Sequence, residues 1–178
     1  DRLEELNREF ERTYGFGIQI GVGLHSGRVR VGNMGSADLF DYTLIGDNVN
    51  LTSRLESLTK YYGQRILVSD AIREACGERF IFIEMDRVRV KGKTAPVTLY
   101  TVRTMSQAEA QAEELDAYGR ALSLYQAARF DEAGNSFKEC SSRFGEKILY
   151  SMYAERCEAL QAQPPGPDWD GVYTHKTK

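Results

Sequence analysis

An α+β fold, with helices packed on a mixed sheet, is what this sequence predicts, and three observations carry that prediction. Apolar residues alternate at Ile18, Ile20, Val22 and Leu24, and again at Phe40, Tyr42 and Leu44, the two-residue period of a strand. Leu51, Leu55, Leu58 and Tyr62 instead recur at the spacing of one helical face. Strand and helix patterns then interleave as far as residue 103, with antiparallel hairpins among them, which is the layering of an α+β sandwich.

Taken in order, residues 1–14 read as an amphipathic helix with Leu3, Leu6 and Phe10 on one stripe and a Glu4–Arg8 pair on the wet side. The strand at Ile18–Leu24 keeps Gly21 and Gly23 on its second face. That bare face either admits a ligand or another backbone, or relieves crowding beneath a packed helix. Arg28–Gly32 and Phe40–Ile45 read as two strands joined by the turn-rich NMGSAD. The helix after Gly46 is expected to end at Gly63. Arg65–Ser69 is a short strand and Asp70–Cys76 a short helix capped by Ser69 or Asp70. Arg79–Asp86, Arg87–Lys91 and Val97–Val102 read as three further strands, with the turn GKTAP before the last.

From Ser106 the composition shifts to Ala, Glu and Gln. Two helices, Ala112–Arg129 and Phe130–Phe144, meet near Arg129, and a third spans Lys147–Gln161. Leu124, Ala128, Phe130, Ala133 and Phe137 resemble a tetratricopeptide-type unit. Such units need about three copies to stand alone, so this one is expected to pack on the core or on a neighbour. The expected organisation is therefore 1–104, a helical unit at 105–162, and a Pro/Gly-rich tail at 163–178 in which Trp169 is loosely held.

With 178 residues and 42% apolar content, the chain can bury a core without disulfides. A net charge of −3 without a basic run argues against a nucleic-acid partner. Cys76, Cys140 and Cys157 are odd in number and lack metal-site spacing, so reduced thiols and a cytoplasmic setting are expected. No stretch approaches the ~20 apolar residues of a membrane span.

The chemistry concentrates in FDYTLIGDNVNLTSR, residues 40–54. Asn50 and Arg54 lie four apart and project from one helical face, at the border of the buried stripe. An amide and a guanidinium on a rigid element suit a developing negative charge such as a phosphoryl group in transfer. His25 has no catalytic constellation around it and reads as structural. Asp38, Asp41 and Asp47 are too dispersed for a metal pair. Gly92–Thr94 is not a Walker A loop, because Arg87 stands where the first glycine is required.

The same segment resembles the signature of the class III nucleotidyl cyclases, the adenylyl and guanylyl cyclases. The resemblance extends to IQIGVGLHSGRVRVGNMGS, LTSRLESLTKYYG, ILVS and DRVRVKGKTAPVTLYTV, roughly residues 1–103. It implies a partial ferredoxin-like core followed by the helical unit, and conversion of ATP, or GTP, to a 3′,5′-cyclic nucleotide and pyrophosphate between two subunits of a homodimer. It implies that Arg54 stabilises charge on the α-phosphate and that Asn50 orients the ribose. Thr43, with Leu44 beside it, stands where the family contacts the purine. A Thr hydroxyl both donates and accepts, so it does not separate adenine from guanine unaided, although adenylyl activity is favoured. Lys91 or Lys93 matches the lysine that binds the terminal phosphates.

The family also uses two divalent ions, Mg²⁺ or Mn²⁺, held by two aspartates that it places before the helix opening this chain. The resemblance therefore implies the C-terminal portion of a catalytic domain, inactive alone, whose parent carries a sensor or membrane-anchored region upstream. The alternative is a cyclase-like interaction module without turnover.

Overall fold

The computed structural model describes residues 2–36, 39–89 and 95–174. Helix α1 (Arg2–Tyr14) is followed by β1 (Val22–Leu24), β2 (Arg30–Ser36), β3 (Leu39–Ile45) and α2 (Asp47–Tyr61). Next come β4 (Ile66–Ser69), α3 (Asp70–Cys76), a 3-10 turn at Gly77–Arg79, β5 (Ile81–Arg89) and β6 (Val97–Arg103). The remainder is α4 (Met105–Ala110), α5 (Ala112–Gln126), α6 (Phe130–Phe144), α7 (Ile148–Ala162) and β7 (Tyr173–Thr174).

Five strands form one mixed sheet in the order β1-β4-β6-β5-β7, parallel at β1–β4 and β5–β7 and antiparallel elsewhere. β2 and β3 form a separate antiparallel ribbon. This is the α+β class expected.

Several elements differ from the sequence reading. β1 is shorter than the alternation from Ile18, because the Asn7 side chain of α1 takes both backbone groups of Ile18, at 2.8 and 2.7 Å. The ribbon is longer, since residues 33–36 continue the ladder opposite Leu39–Tyr42. The two strands expected over 79–91 are one strand, β5, interrupted by a bulge between Glu84 and Asp86. Ser69 precedes α3 but makes no capping bond; its hydroxyl is taken by His25. The short α4 was not anticipated, although Thr104 and Gln107 form a reciprocal capping box there.

α2 ends as expected. Gly63 takes the left-handed conformation (φ 61°), while Gly63 and Gln64 donate to the carbonyls of Lys60 and Thr59. The same closure at the end of α5 puts a non-glycine, Ala128, at φ 59°.

One continuous apolar core joins the sheet to the helices. Leu51, Leu55 and Tyr62 of α2 and Leu67, Met85, Val88, Val97 and Leu99 of the sheet cluster with Tyr118, Tyr125, Phe137 and Tyr153 of α5–α7. The helical unit thus packs on the sheet. Residues 163–174 of the segment expected as a loose tail are also docked. Trp169 lies edge-on to Tyr125 and Phe130 and donates to the Gln126 carbonyl at 3.2 Å, while Asp170 pairs with Arg89. β7 then adds to the sheet edge beside Val88.

Candidate active site on the second helix

Gly46, at φ 143°, turns β3 directly into α2, and its carbonyl accepts from the amides of Val49 and Asn50 at 3.1 and 3.2 Å. Asp47 in the first turn complements the positive end of the helix dipole. Leu51 and Leu55 fix the rotation of α2 by burying one stripe. That rotation leaves Asn50 exposed and Arg54 half-buried, one turn apart on the border of the stripe.

The depth of α2 is set from below. A Cβ at Gly23 would meet the Glu56 amide nitrogen at 2.5 Å and the Thr52 carbonyl at 2.6 Å; at Gly21 it would meet the Thr59 hydroxyl at 2.2 Å. Gly23 therefore lets helix backbone rest on strand backbone and Gly21 makes room for the Thr59 side chain, the packing alternative, which leaves no space for a ligand there.

A polar clasp that sequence reasoning missed holds the start of the helix. Asn48 donates through Nδ2 to the Arg28 carbonyl at 2.8 Å, which turns its Oδ1 to His25 Nε2 at 3.1 Å. Nε2 must then donate, so His25 Nδ1 accepts from the Ser69 hydroxyl at 2.7 Å. His25 is structural, as expected, and Gly27 is required because a Cβ there would meet Asn48 at 2.3 Å. No local pattern could have revealed Asn48, whose bond to His25 spans 23 residues while His25 reaches Ser69 across 44.

Thr43 and Leu44 lie on β3, paired with Gly32 and Val31, and both are exposed. β3 contacts α2, so one continuous stretch presents Thr43, Leu44, Asn50 and Arg54 from a strand and the helix it feeds. Lys91 and Lys93, with Asp38, lie outside the described residues. Among the described residues no group of three His, Cys, Asp or Glu side chains could hold a metal ion. An amide and a guanidinium on a rigid element are groups suited to binding and charge stabilisation.

An apolar surface lies open beside this site. Ile18, Ile20, Val22 and Leu24 on and before β1, and Val31, Tyr42, Leu44 and Ile45 on the ribbon, are each more than a third exposed. β1 is also a sheet edge. Among the described residues no helix is long and apolar enough to cross a membrane.

The fold and this helix define a nucleotide-cyclase-type catalytic domain. The family model described as the adenylate and guanylate cyclase catalytic domain matches residues 2–104, more than half of the chain, and the chain belongs to that family. The terminal-differentiation-specific adenylate cyclase of Dictyostelium discoideum is 30% identical over 146 residues, 79% of this chain and 7% of that protein. That span exceeds the portion up to residue 104, so the likeness enters the helical unit. The adenylate cyclase of Anabaena cylindrica is 40% identical over 89 residues, 48% of this chain and 18% of that protein. A membrane guanylyl cyclase of Dictyostelium discoideum is 36% identical over 52% of the chain and 6% of its own length. The crystal structure of the adenylyl cyclase CyaB from P. aeruginosa is 30% identical over 57% of this chain and 52% of that one, with a TM-score of 0.47. The chain thus spans less than a fifth of the length of these curated relatives.

Proposed function

We propose that this chain supplies the nucleotide-facing helix of an adenylyl cyclase that converts ATP to 3′,5′-cyclic AMP and pyrophosphate. The observation that carries the reading is the placement of Asn50 and Arg54 one turn apart on a helix whose rotation and depth are both fixed. Arg54 meets the charge that builds on the α-phosphate as the ribose 3′-hydroxyl attacks, and Asn50 orients the ribose. Such a site works by positioning and electrostatics rather than covalent chemistry. Thr43 and Leu44 contact the purine, and Lys91 or Lys93 the terminal phosphates. The open apolar surface around β1 and the ribbon belongs to contact with a second subunit, which completes the site.

The second reading is an interaction module without turnover, built on the open apolar surface and exposed sheet edge at β1. Cyclic-nucleotide formation from ATP and from GTP with Mn²⁺ separates the two. It is measured with this chain and with a version extended upstream through the first strands of the family's domain. Turnover of ATP by the extended version alone supports the adenylyl reading. Preference for GTP reverses the purine assignment, and silence from both versions favours the module.

A further inference from the structure

The far end of α2 is tied into a buried polar network. At the bulge in β5, Asp86 turns inward, 1% exposed. Tyr62, closing α2, donates to its Oδ2 at 2.6 Å, and Arg156 of α7 donates to the same oxygen at 2.6 Å. The other terminal nitrogen of Arg156 reaches the Tyr61 hydroxyl at 3.2 Å, and its guanidinium lies 3.6 Å from the centre of the Tyr173 ring. The carbonyls freed by the bulge are taken from the helical unit as well. Tyr153 donates to Met85 at 2.6 Å, and Tyr118 reaches Glu84 and Met85, each at 3.1 Å.

Tyr61 and Tyr62 follow Arg54 by seven and eight positions, about 10–12 Å along a straight helix. A helix transmits displacement of one end to the other, and a misplacement of about 1 Å at a reacting group can cost on the order of 100-fold in rate. α2 therefore rests on three supports. The clasp of Asn48 with His25 holds its start, bare glycine backbone sits beneath its middle, and the Asp86–Arg156 pair holds its end.

We propose that Arg156 is a positioning residue, which through Asp86, Tyr61 and Tyr62 fixes the attitude of α2 so that the helical unit α5–α7 controls reaction at Asn50 and Arg54 without touching nucleotide. This rests on the cyclase reading for its consequence and on the network alone for its mechanism. The lock is all-or-none in character: Asp86 is enclosed, and loss of the guanidinium leaves its charge without compensation. Any partner that displaces α7 from β5 therefore releases the catalytic helix.

The test combines hydrogen exchange on the full chain with steady-state kinetics on the upstream-extended version, each with Arg156→Lys and with the paired change Asp86→Asn/Arg156→Gln. Lysine keeps the charge but cannot serve Asp86 and Tyr61 together, and the paired change keeps polar contact without burying a lone charge. The expected result is exchange at least tenfold faster at the amides of residues 51–62, little change in α6, and kcat reduced tenfold or more with KM within about threefold. Unchanged protection of α2, a uniform rise in exchange over the whole chain, or faster α2 exchange at unaltered kcat would each overturn the proposal. Exchange is read without turnover. An inactive extended protein whose α2 still loosens on substitution removes the cyclase reading and leaves the lock standing.

Discussion

Arg156 of α7 and Asp86 of β5, seventy residues apart, meet at 2.6 Å with side chains only 4% and 1% exposed. Burial opposes the charge of the Arg156 guanidinium, yet Asp86 and the surrounding tyrosines outweigh it and hold its pKa well above the ordinary value. Removing one partner of such a pair typically costs about 3–5 kcal/mol, because the other is left charged in an enclosed site. Asp86→Asn and Arg156→Met should each fall in that range by urea unfolding. The double variant should fall short of the sum by about 2 kcal/mol or more. Simple additivity would show that the two side chains do not act as a unit.

Gly23 offers a second test, aimed at the middle of α2. Its Cβ would strike helix backbone, which cannot swing aside, at 2.5 and 2.6 Å, whereas a Cβ at Gly32 meets nothing within 4 Å. Gly23→Ala is expected to destabilise by about 2–3 kcal/mol, in the range of overpacked cores, and Gly32→Ala by less than about 0.5 kcal/mol. Equal effects would contradict the close approach of α2 to β1.

Trp169 is the sole tryptophan of the chain, so its fluorescence reports docking of residues 163–174 directly. Packed against Tyr125 and Phe130, it should emit at short wavelength in the native state. It should also shift on unfolding in step with the far-UV circular dichroism of the helices. A solvent-exposed spectrum before denaturation would mean that the segment is loose after all.

Stability should decline at alkaline pH. Burial pushes the Cys157 thiol up to about 11, and burial, followed by the Asp86 charge, raises the hydroxyls of Tyr62, Tyr118 and Tyr153 well above their usual value. Each is an acid favoured in its neutral form by folding. Its contribution is intact below the unfolded values of about 8.5 for Cys and 10 for Tyr, and is lost as pH rises through the folded ones. Tm should hold between about pH 7 and 8.5 and then fall steadily to pH 11. A flat profile across that whole range would count against the buried tyrosine cluster.

How much of this was legible in the sequence depends on the distance between cause and effect. α2 and α3 were legible because their causes are local: the stripe Leu51, Leu55 and Tyr62, and the glycine that closes α2. Asn50 and Arg54 were legible for the same reason, being four residues apart on one helix. The continuity of β5 was not. Its bulge at Met85 is stabilised by Tyr118 and Tyr153, which arrive from 33 and 68 residues away. Reading 163–178 as a tail weighed its Pro and Gly correctly but could not foresee that Trp169 and Tyr173 find aromatic and guanidinium partners across the fold. The clasp of His25, Asn48 and Ser69 was hidden likewise, since it joins three separate elements.

The most direct measurement of the central claim is the rate of cyclic AMP formation by the upstream-extended protein carrying Arg54→Ala or Asn50→Ala, with Lys60→Ala, exposed on the same helix, as control. Transition-state stabilisation by Arg54 predicts a fall in kcat of about 100-fold or more, in the range seen when one charge-stabilising donor is removed, and a smaller fall for Asn50→Ala. KM for ATP and the thermal midpoint should stay close to those of the parent. A kcat for Arg54→Ala matching that of Lys60→Ala would contradict the account.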